Sequence, residues 1–359
     1  MAKTRPDFEN TAPEPAANPD LVGHAAAERA LMDAYNSGRL PHAWLISGPR
    51  GIGKATLAYR FARFVLGQGG QGGKSADGLH LAADHPVFRR VASGGHADLK
   101  VIEKQKNPKT GKMRTEIIID DVRSAGSFLS LTAAEGGWRV VIVDAADEMN
   151  PNSANAILKI LEEPPDRALL ALVSHNPGRL LPTIRSRCRR LNMQALEPAA
   201  VAALARRYLT GLGDGEAERL ARLAEGSIGR ALALAEAGGL GFHDDITSIL
   251  EGLPRLDSEA LHVLGDKLGR AGAEDAFRMT ADLLRWWMAR LILSGAKGGG
   301  DPLMVRLFKA GGRQRWLEAW DRTGRILARA ETAHLDRKQV TLNLFMTIEN
   351  TVNSRLTGS

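Results

Sequence analysis

The sequence predicts an α/β fold, a doubly wound parallel sheet core followed by all-α segments, on three observations. Short apolar runs alternate with helical patterns between residues 21 and 193. A glycine-rich turn, "GPRGIGKAT", lies between the first such run and the first helix. Past Glu197 the strand signals stop, and amphipathic helical patterns continue towards the C-terminus.

The opening "MAKTRPDFENTAPEPAANPD" has no apolar centre and reads as a disordered lead-in over residues 1–20. "HAWLISG" (42–48) is a short apolar strand, and the helix "KATLAYRFARFVLG" follows the glycine turn. The run "GQGGQGGKSADG" (67–78) has too much glycine to order itself and reads as a flexible loop. "EIIID" (116–120) is the expected second strand, leading into a helix near "DDVRSAGSFLSL". "WRVVIVDA" (138–145) is the third, followed by "NSANAILKILEE", a helix closed by Pro164 and Pro165. "ALLALVSHN" (168–176) is the fourth. Strands separated by helices need parallel crossovers, so the sheet is covered on both faces. Pro198 suits a first helical turn, and "AAVAALARRYL" and "EAERLARLAEG" are amphipathic. In the last third, Leu283, Trp287 and Leu291 lie four apart, as do Trp316 and Trp320. These stripes read as bundle core, with a face packed on other subunits as the alternative.

A chain of 359 residues, 44% of them hydrophobic, has material for roughly two to three domains. Its apolar runs are too short for a membrane helix, and cytoplasm is the simplest compartment. Cys188 is the one cysteine, which leaves no internal disulfide and no multi-cysteine zinc site. The net charge of +7 leans towards a polyanionic neighbour. Its densest stretch, residues 100–114, reads equally as a solvated hairpin tip or as a polyanion contact.

The glycine turn meets the phosphate-loop pattern at Gly48, Gly53 and Lys54 and breaks it at Ala55, where a magnesium-binding hydroxyl belongs. Backbone N–H groups near Gly51 to Lys54 would face an anion, with Lys54 as a point charge. Thr56 is one helical step past Ala55, which turns its side chain about 100° away. Asp144 ends the third strand where an acid would hold magnesium through water, but the following position, which should orient the attacking water, is Ala145. Two losses on two segments serving one reaction point to a site that does not hydrolyse. Ser174 ends the fourth strand as either a phosphate sensor or a turn cap. In "TIRSRCRR" (183–190), Arg187 is either an arginine finger for a neighbour's nucleotide or part of a solvated basic strand. Arg230, in "GSIGRALAL", could reach back to a phosphate.

Taken in order, "LVGH", "RLPHAWLISGPRGIGKATLA", "VVIVDAADEMNPNSANAILKILEEPP", "LLPTIRSRC" and "GSIGRAL" resemble the bacterial clamp-loader family, within it the delta-prime subunits of DNA polymerase III. The resemblance implies an AAA+ P-loop NTPase-type parallel sheet core over 21–193, a helical lid over 194–240 and an all-α collar for oligomerisation over 241–359. It places Gly48, Gly51, Gly53 and Lys54 on the phosphate loop and Asp144 on the second nucleotide motif. Ser174 falls on the sensor, Arg230 on the lid arginine, and Ser186-Arg187-Cys188 on the motif that carries the trans arginine finger. The implied partners are clamp-loader motor (gamma/tau) and delta subunits, the sliding clamp and primed DNA, with no membrane. No cofactor is required, though the degenerate site leaves room for passive nucleotide or anion binding. Family members often carry a four-cysteine zinc module where this chain has its glycine run, so no zinc is expected. The rival expectations are an ATP-hydrolysing motor subunit and a stand-alone DNA-binding AAA+ protein.

Overall fold

The computed structural model describes residues 8–68, 78–108, 110–135, 137–297 and 301–353. Most of the glycine run, residues 69–77, lies outside them. By compactness the chain divides between Leu232 and Ala233, so the first unit, Glu9–Leu232, holds the predicted core together with most of the predicted lid.

Along the first unit run β1 (Glu9–Asn10), α1 (Ala25–Asn36), β2 (Ala43–Ser47), α2 (Lys54–Gly67), α3 (Pro86–Ala92), β3 (Leu99–Glu103) and α4 (Ile119–Leu129). There follow β4 (Arg139–Asp144), α5 (Pro151–Glu162), β5 (Ala168–Ser174), α6 (Pro182–Arg187) and β6 (Arg189–Asn192). Then come α7 (Pro198–Tyr208), β7 (Leu209–Thr210), α8 (Asp214–Ala224) and α9 (Ile228–Glu236). The main sheet has the order β3-β4-β5-β2-β6, and every pair in it is parallel. Alternation along β2 sends Trp44 and Ile46 to a core with Leu57 and Phe61 of α2. Ala43 and Leu45 go to a second core with Val122 of α4 and Ile157 of α5. All of β5 is buried, as a central strand covered on both faces requires. The expected AAA+ P-loop type of core is therefore the fold.

One strand expectation is corrected. The second strand is Leu99–Glu103, not 116–120. Ile117 makes only a single bridge to Met149, and α4 begins at Ile119, where Asp120 and Asp121 suit a helix N-terminus. The basic stretch thus starts on the sheet edge, and its remainder turns back at a Lys106–Met113 bridge. The sheet also has a fifth strand, β6, formed by part of the arginine-rich segment and held in register with β2.

Residues 8–20, expected to be disordered, are tied down. β1 pairs antiparallel with β7, and Thr11 donates its N–H to Tyr208 O at 2.8 Å. The buried Arg63 guanidinium donates to Ala16 O at 2.6 Å and to Asn18 O at 2.7 Å. Composition missed this because every one of those partners is distant in sequence.

The second unit contains α10 (Gly239–Glu251), α11 (Ser258–Gly269), α12 (Glu274–Lys297), α13 (Pro302–Gly311), α14 (Arg313–Ala333) and α15 (Arg337–Asn353). Leu283, Trp287, Leu291 and Trp316 are buried as the stripes predict, and Trp316 Nε1 donates to Leu307 O at 3.0 Å. Trp320 is half-buried beneath the Arg285 guanidinium. No helix among the described residues is long and apolar enough to cross a membrane.

Candidate functional site

The loop from Gly48 to Gly53 connects the end of β2 to the start of α2 and takes positive φ at Gly48, Gly51 and Gly53. Its shape is that of a phosphate loop, but its polar groups are turned on one another. Lys54 is only 3% exposed, and its ammonium donates to Gly48 O at 2.8 Å and Pro49 O at 2.5 Å. The lid closes the loop from outside, with Gly229 N donating to Gly51 O at 2.9 Å. A Cβ on Gly51 would meet Ser227 Oγ at 2.4 Å. Beside the loop, Leu21, Val22, Thr56, Tyr208 and Ile228 line a cavity of about 40 Å³. That is about the volume of one water, against several hundred Å³ for ordinary ligand sites. Ala55 and Ala145 stand at the two positions where a magnesium-binding hydroxyl and a second acid are expected.

The charges fit the same closure. Burial pulls the Lys54 ammonium down to about 8, against the attraction of Asp144 and Asp147. Burial pushes the Asp144 carboxyl up to about 6, helped by Glu103, its register partner on β3, and opposed by Lys54. Asp147 behaves oppositely. Burial alone would raise it, but hydrogen bonds led by the His175 N–H at 2.9 Å, with Asn176 N–H at 3.0 Å, hold it below the usual range.

A pH-dependent prediction follows from Asp144. Folding raises its pKa from 3.8 to about 6, so the folded chain binds more protons in that window and stability falls as pH rises through it. Asp144→Asn removes the cost. It should stabilise the chain by about 1–3 kcal/mol at pH 7.5, less whatever Lys54 loses as a partner, and by nothing below about pH 4. Urea unfolding at the two pH values checks this; an equal change at both would contradict it.

The sheet places Ser174 beside the loop's root, because Ser174 is in register with Ser47. Asp144, Lys54 and Ser174 are therefore gathered as the sequence suggested. Arg230 is not seen on the phosphate loop: its guanidinium bonds Glu225 Oε2 at 3.2 Å. Arg187 ends α6 with its side chain 36% exposed; Nη2 lies 2.9 Å from Glu162 Oε1, and Nη1 donates to Thr183 O at 3.2 Å. Cys188, next to it, is buried in the core on the α4–α5 side of the sheet, and burial pushes its thiol up to about 12. The motif therefore alternates an outward arginine with an inward anchor.

Two residues escaped sequence inspection. Asp147, in the short 3-10 helix Ala146–Glu148 after β4, clamps the backbone beyond β5. Glu162 meets Arg187 from the end of α5. Neither has a spacing signal, since both pairings bridge separate elements.

The family described as "DNA polymerase III, delta subunit" matches residues 23–197. The DNA polymerase III subunit delta' of Pseudomonas aeruginosa is 37% identical over 216 residues, 60% of this chain and 61% of that one. That of Escherichia coli K12 is also 37% identical, over 57% of each chain. Over these residues the chain is similar to the delta-prime subunits of DNA polymerase III. Escherichia coli DNA polymerase III subunit tau is more distant, 28% identical over 80% of this chain and 46% of its own length. The chain spans about three-fifths or less of the length of these curated relatives. Among solved structures, a DNA polymerase III gamma-subunit-related protein of Thermotoga maritima is 20% identical. It covers 89% of this chain and 99% of its own, with a TM-score of 0.42. The delta-prime family model ends near the start of α7, so it spans the loop, Asp144, Ser174 and Arg187 but not Arg230.

Proposed function

We propose that this chain is the non-hydrolysing delta-prime subunit of a DNA polymerase III clamp loader. In that assembly it helps place the sliding clamp on primed DNA beside motor (gamma/tau) and delta subunits. Arg187 acts in trans, as the cation that completes a neighbouring ATPase site. The observation that supports the non-hydrolysing role is the pair of alanines at 55 and 145, where a magnesium-binding hydroxyl and a second acid are expected, beside a Lys54 ammonium that rests on the loop's own carbonyls. A guanidinium suits the trans role because it stays charged and presents several N–H groups to phosphoryl oxygens. Any nucleotide or anion at the degenerate loop would be a passive ligand, which needs the lid contact at Gly51 to open first.

The match to tau over most of the chain favours one second reading, a motor subunit that hydrolyses ATP in cis. The two are separated by ATP turnover of the purified chain alone. We expect no turnover above a Lys54→Ala control. Turnover of about one per second, near the range of working phosphoryl-transfer enzymes, would establish the motor instead.

A further inference from the structure

The Arg187–Glu162 pair joins the last residue of α6 to the last residue of α5. Both side chains are well exposed, 36% and 49%, and exposed ion pairs contribute little to folding stability. Holding the fold is thus a poor account of the contact. Its geometry suits something else. One guanidinium nitrogen faces Glu162 Oε1 at 2.9 Å, and a second donates to Thr183 O at 3.2 Å. Two anchors from two elements fix the plane of the group as well as its position. A guanidinium has five N–H donors, so three stay available for another ligand.

We propose that Glu162 is a positioning residue for Arg187, setting the guanidinium so that its unused N–H groups meet a phosphoryl oxygen of a nucleotide held by the adjacent subunit. The inference rests on the assignment of Arg187 as the trans cation, and goes beyond it by naming what aims that cation. An arginine on a free four-bond stem samples many rotamers, and a reacting phosphoryl group gains most from a donor already in place. The carboxylate provides that order at the surface, where packing does not.

The test is a clamp-loader complex reconstituted from motor, delta and clamp components with this chain, assayed on primed DNA. Four variants are compared with the parent: Glu162→Ala, Glu162→Gln, Arg187→Ala and the Arg187→Ala/Glu162→Ala double. Glu162→Ala should lower the single-turnover rate constant for ATP hydrolysis at the neighbouring site by about 2- to 5-fold, the size of one exposed charged contact, with ATP affinity and assembly affinity unchanged. Glu162→Gln keeps an acceptor oxygen in place and should recover at least half of the loss. The double variant should match Arg187→Ala, because an aimed residue that is gone has nothing left to aim. If Glu162→Ala equals the parent while Arg187→Ala is slow, the positioning role is overturned and the trans cation stands. A faster Glu162→Ala overturns it too, since the pair would then restrain the arginine. A parallel fall in assembly affinity makes Glu162 structural and overturns it as well. If Arg187→Ala is itself without effect, the trans assignment fails and the positioning role falls with it.

Discussion

Arg187→Ala should slow ATP hydrolysis at the neighbouring site by about a thousandfold in the assembled complex, the lower end of what trans arginines contribute elsewhere. The physical basis is the permanent positive charge of a guanidinium placed against a developing phosphoryl charge. Arg187 is half-exposed and extends from the end of α6, and the buried Cys188 fixes the chain immediately behind it. Single-turnover hydrolysis is the right measurement, because steady-state rates also sum over motor sites that this chain does not touch. Lys54→Ala is the matched control and should change hydrolysis by less than about twofold. Its ammonium faces Gly48 O and Pro49 O, and removing it empties no phosphate contact. Equal and large losses from both substitutions would place the chemistry in this chain's own loop.

Gly48→Ala should destabilise the first unit by about 3 kcal/mol or more, with the urea m-value unchanged. Gly48 has φ 149°, and a Cβ there would meet Met193 O at 2.3 Å and Ile52 Cδ1 at 3.0 Å. The obstructing atom is a backbone carbonyl at the end of β6, where Met193 N donates to Ser47 O at 2.7 Å, so it cannot swing aside. Gly38→Ala is the comparison. Gly38 has φ 70° with nothing within 4 Å of its Cβ position, so only the backbone strain of about 1 kcal/mol is expected. If Gly48→Ala costs no more than Gly38→Ala, the loop is not held by its packing against β6. In a hydrolysing enzyme these glycines admit phosphate to the backbone; in this chain they admit the protein's own backbone.

Much of the core was legible because its strands and helices carry local signals. β2, β4 and β5 are apolar runs between turns, and α2 and α5 have clear starts. β3 was misplaced for a definite reason. "EIIID" has stronger strand propensity than "LKVIE", but its acids cap α4, while Leu99–Glu103 gains its strand character by pairing with β4. β6 reads as a solvated basic strand because its side chains are mostly exposed; its place in the sheet comes from backbone pairing with β2. The lead-in looked disordered because its order is supplied by Arg63, Tyr208 and β7.

By itself the sequence determined the parallel sheet, the position of the phosphate loop and the loss of two catalytic groups. Each of these depends on residue identity or on short-range periodicity. Only the tertiary structure decided that Lys54 bonds Gly48 O and Pro49 O, that Gly229 N bonds Gly51 O, that Glu162 meets Arg187, and that Arg230 bonds Glu225. The difference is physical. A missing hydroxyl is missing in any conformation, whereas a buried ammonium or a paired guanidinium takes its surroundings from partners that folding brings within about 3 Å.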